Sequence, residues 1–244
     1  MAKQQSKYND ERLQALRDAF EALRDDEHAL FHQGYHKSQL KFYGLKTPVS
    51  RKALTTAFPK RQTPERDELI ELVKQLWASP YWEERMAAIE LLSRRAGELT
   101  LSHLPWLKEL TRGCEGWAQL DTLACRTLGE MALVRGEAMY RKVFAWRKDS
   151  WMWTRRASVL IHLMPSRKSE LFDETAWDTF ASLLPEDEFF IRKAIGWTLR
   201  EISKHYPAQV VEFLNAHDDA VSGLTFREGS RNLPDAYKRK LKRS

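Results

Sequence analysis

The sequence predicts an all-α fold, an α-solenoid of HEAT-like helical-pair repeats. Aromatic residues recur 35, 36 and 37 residues apart, and each opens a run with helical spacing of apolar residues: Trp82, Trp117, Trp153 and Phe190. A period of about 35–47 residues with two helices per unit is typical of repeats in which each unit packs only on its neighbours. Ten Gly and nine Pro in 244 residues are too few for the turn-rich pattern of an all-β fold.

Three helices are predicted in the N-terminal part of the chain. The first begins near Asn9 and carries apolar residues at helical spacing. The second covers about 27–43. The third has Thr47 as its N-cap and Pro48 at the first helical position, and it runs toward Phe58.

From about residue 64 the predicted helices alternate in regular pairs. They cover about 64–76 with 82–92, 104–110 with 117–133, 136–146 with 151–164, and 175–184 with 187–204. A shorter helix begins at Pro207, and the helical signal fades beyond Asn215. We therefore predict one repeat domain over 1–231 and a basic C-terminal tail over 232–244, which has the composition of a flexible segment.

The formal charge of +6 is concentrated at the C-terminus, because the stretch Lys238–Arg243 contains five basic residues. A solvated tail explains that cluster of charges as well as binding to nucleic acid does. The net charge is therefore weak evidence for a nucleic-acid partner. Basic residues in the body of the chain are more informative, since Arg85, Arg155 and Arg192 recur 70 and 37 residues apart. A stripe of cations along one face of a solenoid can follow a phosphate backbone.

Several function classes have no support in the sequence. There is no Gly-rich phosphate loop, CxxC pair or Ser–His–Asp order, the patterns of nucleotide hydrolysis, redox chemistry and acyl transfer. Cys114 and Cys125 suit reduced thiols of a cytosolic protein. The N-terminus has no signal-peptide pattern and no stretch approaches 18 apolar residues, so we predict a cytoplasmic protein without a membrane partner.

A metal site is a weak alternative in the second helix. His28, His32 and His36 are spaced four residues apart, and imidazoles at that spacing can bind zinc on a helix. That motif normally includes a nearby catalytic acid and a further ligand, which the segment lacks. We therefore interpret the three histidines as a half-exposed helix face and predict no metal.

The repeat register brings a carboxylate, a guanidinium and two indoles together. Trp117 and Asp121 are four residues apart and share one face of a helix. Arg156 follows Asp121 by 35 residues, one repeat, and Lys193 and Trp197 lie one repeat further on. Packed helices are about 8–10 Å apart, so these side chains should converge on one surface. By register alone, an ordinary inter-repeat ion pair surrounded by core tryptophans explains the pattern equally well.

Four stretches of the chain carry a family resemblance. They are Phe189–Glu201 (FFIRKAIGWTLRE), Trp117-x-x-x-Asp121, Trp153–Ala157 (WTRRA) and Tyr43–Pro48 (YGLKTP). They resemble, in that order, the signature stretch, the catalytic Trp and Asp, the active-site arginine segment and the N-terminal Gly-x-x-Thr-Pro stretch of the AlkD-like DNA alkylation-repair glycosylases. That family is built from HEAT-like repeats, and the likeness covers roughly residues 25–215. Beside Trp117, Gly116 and Ala118 stand where one member of the family has a second aromatic and a second acid.

The resemblance implies a function as well as a fold. It implies a monofunctional DNA glycosylase that hydrolyses the N-glycosidic bond of cationic N3- and N7-alkylated purines, 3-methyladenine and 7-methylguanine, in duplex DNA. The lesion would stay stacked while the enzyme engages the backbone and sugar from a concave DNA-binding face. No cofactor is implied, and we expect a monomer in the bacterial cytosol or nucleoid. The implied catalytic residues are Asp121, Trp117 and Trp197, and the implied DNA-binding residues are Arg156, Arg155, Lys193 and Arg192.

These residue types suit that chemistry. An alkylated purine is already cationic and leaves easily, so no strong general acid is needed. Bond cleavage develops oxocarbenium character on the sugar, which a carboxylate such as Asp121 can stabilise while it orients water. Indole faces attract cations and pack on sugars, and Arg156 can grip a phosphate or orient Asp121. Trp82, Trp153 and Phe190, which reveal the period, are predicted to be core residues.

A second class of function fits the same surface. A non-catalytic HEAT-repeat module would bind damaged or branched DNA, or a protein partner, through the same face. Such a protein has no need of Asp121. The presence of the acid together with Trp117, Arg156 and Trp197 favours the enzyme.

Overall fold

The computed structural model describes residues 2–168 and 174–243 and confirms the all-α prediction. Within those residues there is no strand, only an isolated bridge between Lys41 and Tyr81. The chain divides into two compact units, Met1–Leu99 and Thr100–Ser244. No helix in the described part of the chain is both long enough and apolar enough to cross a membrane.

Most of the helices lie close to their predicted bounds. The first helix differs, because it begins at Ala2 and not near Asn9. In the first unit the helices are α1 (Ala2–Ala22), α2 (Asp26–His36), α3 (Thr47–Ala57), α4 (Arg66–Trp77) and α5 (Trp82–Ser93). In the second unit they are α6 (Leu104–Arg112), α7 (Trp117–Leu123), α8 (Gly129–Arg135), α9 (Glu137–Phe144), α10 (Met152–Leu160), α11 (Leu163–Lys168), α12 (Thr175–Leu183), α13 (Phe189–Ile202), α14 (Pro207–Ala216), α15 (Gly223–Ser230) and α16 (Asp235–Lys238).

The prediction for the second helix is wrong in its C-terminal half. Helix α2 ends at His36 because Lys37 adopts the left-handed conformation and caps it. The following backbone is held by a buried carboxylate, since Glu83 accepts hydrogen bonds from the amides of Tyr43, Gly44 and Leu45 at 3.0, 2.9 and 3.1 Å. These bonds replace the helical ones, so the chain is satisfied without continuing the helix.

The backbone conformation at Gly44 explains why the YGLKTP stretch has a glycine at this position. Its φ of +80° lies in the left-handed region, and a Cβ there would lie 2.0 Å from the backbone oxygen of Asp25. Only glycine accepts both conditions. The stretch therefore has a structural role in the first unit, where it leads directly into α3.

The first unit buries its apolar residues between α1, α3, α4 and α5, which pack on one another in pairs. Leu16, Phe20, Leu76 and Leu92 lie fully inside it. Trp82 is 6% exposed, so its predicted place in the core is confirmed.

The second unit contains a row of helices that positions the candidate site. Helix α10 packs on α7 and α6 on one side and on α13 on the other, and α13 packs closely on α15. Two glycines allow α13 and α15 to come this close. A Cβ on Gly196 would lie 2.6 Å from the Cβ of Glu228, and a Cβ on Gly229 would lie 3.1 Å from Leu199. Successive members of the row come from successive repeats, as the register predicts.

The helix predicted over 117–133 is present, but its hydrogen-bonding pattern changes in the middle. Between α7 and α8, residues Ala124–Leu128 form a π-helical turn. Such turns insert an extra residue into a helix and often occur at functional sites. Here the π turn begins three residues after Asp121.

Residues beyond Asn215, where the sequence pattern fades, form two short helices, α15 and α16. The basic tail is anchored in this structure: Asn215 binds the backbone of Lys240 and Lys242 at 2.8 Å, and Arg243 pairs with Asp218 at 3.1 Å. The tail thus packs against the last turn of α14 and the residues that follow it.

A buried carboxylate fixes the loop that precedes α10. Asp149, with a side chain 3% exposed, accepts hydrogen bonds from Lys108 at 2.7 Å and Arg112 at 3.0 Å, and from the amide of Trp151 at 2.9 Å. Burial alone would raise the pKa of Asp149, but these hydrogen bonds outweigh it and lower the pKa to about 2.

This lowered pKa predicts a pH-dependent contribution to stability. Because the folded pKa is below the unfolded value of about 4, the contribution is complete above that pH and is lost as the pH falls through about 2. We expect Asp149→Asn to lower the free energy of unfolding by about 2 kcal/mol at pH 7. Urea unfolding of both proteins between pH 7 and pH 3 measures it. A difference between them that stays constant over that range would contradict the assignment.

Candidate active site

The central contact of the candidate site is a two-pronged ion pair. The Nε and Nη2 atoms of Arg156 donate to the two carboxylate oxygens of Asp121, each at 2.8 Å. The third nitrogen, Nη1, donates to the backbone oxygen of Phe190. The Arg156 side chain is 3% exposed and that of Asp121 is 16% exposed. The guanidinium is therefore enclosed in the protein, whereas the carboxylate still reaches the surface.

Three consecutive repeats supply these groups. Asp121 lies one turn into α7, Arg156 in the middle of α10, and Phe190 at the start of α13. Because α10 packs against both α7 and α13, a long side chain on it reaches both neighbours. The planar fork of arginine matches a carboxylate with two parallel bonds, so it fixes the plane of the acid as well as its position.

Aromatic rings enclose the arginine. The Arg156 Cζ lies 5.8 Å from the centroid of the Phe190 ring, and Trp153 packs on that ring at 5.0 Å. Trp153 and Phe190 are only partly buried, so the prediction that both belong to the core is wrong. The reason is that they lie in the first turns of α10 and α13, at the N-terminal ends of these helices, where the Phe190 ring packs against Arg156.

Trp117 is placed as predicted, one turn before Asp121 on α7. It is the first residue of that helix, it follows the extended N-cap Gly116, and it is 38% exposed. An indole this exposed does not belong to the core, so it is accessible to a ligand that approaches Asp121.

Trp197 lies on α13 and is partly buried. The guanidinium of Arg167, from α11, lies over its ring with Cζ 5.7 Å from the centroid. The ion pair of Asp121 and Arg156 is confirmed by direct contact. The common surface of Trp117 and Trp197 stays a prediction, supported by the packing of α7 and α13 on the same helix, α10.

Cys125 lies one turn after Asp121, in the π turn, and is 8% exposed. Burial, together with the negative charge of Asp121, raises the pKa of its thiol to about 12, against the opposing effect of Arg167, Arg156 and Arg126. The thiol is therefore protonated at neutral pH and is a poor nucleophile.

The other predicted DNA-binding residues already have partners within the protein. Arg155 pairs with Glu186 at 2.7 Å and has a side chain 16% exposed. Arg192 bonds the backbone oxygen of Glu186 and the carboxylate of Asp187. Lys193 pairs at 2.7 Å with the buried Glu228, whose pKa is lowered first by that hydrogen bond.

The structure also places residues that the register does not identify. The backbone oxygen of Phe190 has no signal in sequence, because any residue supplies a carbonyl. Arg167 is not in the repeat register of Arg156 and Lys193, so only the packing of α11 on α13 shows that it contacts Trp197.

The histidines of α2 form stacks of rings. His28 bonds Asp25 at 2.8 Å, and His36 stacks on Trp82 with ring centroids 4.4 Å apart. Burial, with His32 nearby, lowers the pKa of His36. Among the residues that the structure describes, no group of three or more His, Cys, Asp or Glu is arranged to hold a metal ion.

The sequence of residues 16–233 matches the family model of the DNA alkylation repair enzymes. The chain belongs to that family. This match confirms the resemblance of the chain to the AlkD-like DNA alkylation-repair family. No curated protein sequence matches it significantly.

Solved structures show the same fold for this DNA alkylation repair enzyme. A predicted DNA alkylation repair enzyme from Enterococcus faecalis is 23% identical, with a TM-score of 0.76 over 87% of this chain and 97% of that one. AlkD2 from Streptococcus mutans is 17% identical, with a TM-score of 0.58 over 84% of this chain and 99% of that one. The protein smu.31 from Streptococcus mutans UA159 is also 17% identical, with a TM-score of 0.58 over 77% and 92%. At these identities the likeness supports the fold.

Proposed function

We propose that this DNA alkylation repair enzyme is a monofunctional DNA glycosylase that releases cationic N3- and N7-alkylated purines, among them 3-methyladenine and 7-methylguanine, from duplex DNA. The observation that carries the proposal is the carboxylate of Asp121, partly exposed and held by both prongs of a buried arginine. A fixed anion at the surface, beside an exposed indole, suits a reaction in which positive charge develops on a sugar.

In the proposed reaction the bond between the sugar C1′ and the base nitrogen breaks, and its electron pair neutralises the cationic base. Positive charge then spreads over C1′ and the ring oxygen. Asp121 stabilises that charge and orients the water that attacks C1′, and the proton of that water passes to Asp121 or to solvent. Arg156 keeps the carboxylate in one orientation, so little reorganisation is needed as the charge develops.

Arg156 acts in this proposal as the orienting group. To grip a phosphate it would have to leave Asp121 and the Phe190 oxygen, and its side chain is only 3% exposed. Leaving a largely enclosed carboxylate and a carbonyl without this donor is costly. Of the two roles that the resemblance implies, the buried geometry favours orientation.

The indoles and the outer cations complete the proposed interface. Trp117 and Trp197 pack on the sugar or on the cationic base, with contacts worth about 0.5–2 kcal/mol each. Lys193, Arg155 and Arg192 bind backbone phosphates. Of these, Lys193 has the most exposed side chain, at 38%, so it can exchange its partner for a phosphate at the lowest cost. The protein is proposed to act as a monomer and without a cofactor.

The test is single-turnover incubation of the full chain with duplex DNA that carries 7-methylguanine or 3-methyladenine. Free base should appear at a rate well above the spontaneous one, and the DNA strand should be cut only after alkaline treatment of the abasic site. Binding without release of base would instead support the non-catalytic DNA-binding module. Failure to bind duplex DNA at low salt would contradict both.

A further inference from the structure

The geometry points to Arg167 as a positioning residue that fixes the indole of Trp197, with the buried carboxylate of Glu201 as its anchor. This inference rests on the proposed function, because it assigns Trp197 a contact with the substrate. Arg167 does not touch the reacting atoms in this account. It acts through the ring that it covers.

One guanidinium contacts both groups. Its Cζ lies 5.7 Å from the centroid of the Trp197 ring, and its Nε lies 3.2 Å from Oε2 of Glu201. Trp197 and Glu201 are four residues apart on α13, so they share one face of that helix. A planar guanidinium on α11 can therefore stack on the ring while its edge binds the acid.

Glu201 provides a fixed point. Its side chain is 8% exposed. Burial would raise the pKa of Glu201, but Lys204, at 2.7 Å, and Arg167 outweigh it and lower the pKa. An ionised, buried carboxylate holds its cations strongly, because leaving it unpaired is costly. Arg167, although its side chain is 42% exposed, is thus restrained over the indole.

Arg167 also connects the helix of Trp197 to that of Asp121. Helix α11 packs on α13 and on the π turn that follows α7. The charges of Arg167 and Asp121 both act on the thiol of Cys125 in that turn. Arg167 therefore lies on a helix that contacts both the helix of the second indole and the turn that follows the helix of the proposed catalytic acid.

Because Arg167 lies on one side of the ring, the proposed contact with the substrate has to use the other side. Removing the arginine frees the indole to change rotamer, so fewer encounters have the ring in place when the glycosidic bond breaks. We therefore expect the rate of base release to fall while affinity for duplex DNA changes little.

The experiment uses the full chain labelled with 5-fluorotryptophan, in which Trp197→Phe identifies the ¹⁹F resonance of Trp197. In Arg167→Gln that resonance should shift and broaden, and in Arg167→Lys, which keeps the cation, it should return toward the wild-type position. Base release should be about 10-fold slower in Arg167→Gln and within about 3-fold of wild type in Arg167→Lys.

Lys204→Gln is the matched control, because it removes the other cation from Glu201 without touching the ring. It should leave both the resonance and the rate unchanged. An unaltered Trp197 resonance in Arg167→Gln, or the same change in Lys204→Gln, would overturn the inference. If the wild-type protein releases no base, the proposed function fails, while the ¹⁹F spectra still decide whether Arg167 fixes the ring.

Discussion

Asp121→Asn is expected to slow single-turnover release of 7-methylguanine by about 100- to 1000-fold, the usual effect of removing one preorganised electrostatic contact from a transition state. The amide has the volume of the acid and keeps an oxygen for Arg156, so the fold of α7 should not change. It has no negative charge to oppose the charge that develops on the sugar. Affinity for duplex DNA should stay nearly intact, because a carboxylate does not attract phosphates.

Two measurements separate this effect from misfolding. Equilibrium binding to undamaged and methylated duplexes should agree between Asp121→Asn and wild type within about 3-fold. Asp218→Asn serves as the matched substitution, since it removes another ion-paired aspartate of the second unit, the partner of Arg243, and should keep the full rate. Full activity of Asp121→Asn would remove the proposed role of the acid.

Arg156→Ala is expected to lower the free energy of unfolding by about 3–5 kcal/mol, because it breaks a buried pair and leaves one partner uncompensated. The carboxylate of Asp121 loses both its donors, and the backbone oxygen of Phe190 loses its own. Urea unfolding measures the loss. Arg156→Lys should recover part of it, because an ammonium restores the charge but not the fork.

The pairing itself is tested by a double-mutant cycle. If Arg156 and Asp121 stabilise each other, the double variant Asp121→Asn/Arg156→Gln should lose less free energy of unfolding than the two single variants lose together. Additive losses would show that the two residues act independently, which would contradict a stabilising bidentate contact between them.

The salt dependence of duplex binding distinguishes the two roles of Arg156. In the orienting role, Arg156→Ala leaves the slope of log affinity against log salt unchanged, whereas Lys193→Gln, at the exposed cation, reduces it by about one. A flatter slope in Arg156→Ala would instead show that this arginine binds a phosphate.

Much of the site could be predicted from sequence because helical repeats are local. Each inner helix begins near an aromatic residue, and a spacing of 35 residues is enough to place Asp121 beside Arg156 on the next repeat. Helix bounds were less predictable where a distant group competes with the helix. The amides that follow α2 bind Glu83, 40 residues away from Tyr43, and no local pattern shows that preference.

The all-α repeat fold, the order of its helices and the pairing of Asp121 with Arg156 could be predicted from sequence, because they depend on periodicity and on contacts between adjacent repeats. Three features could be seen only in the folded protein: Arg156 is enclosed with its third bond on the Phe190 oxygen, Trp153 packs on the Phe190 ring, and Arg167 lies over Trp197. Each of these depends on which of several possible partners a long side chain reaches. Packing in three dimensions, and the cost of leaving a buried charge unpaired, make that choice.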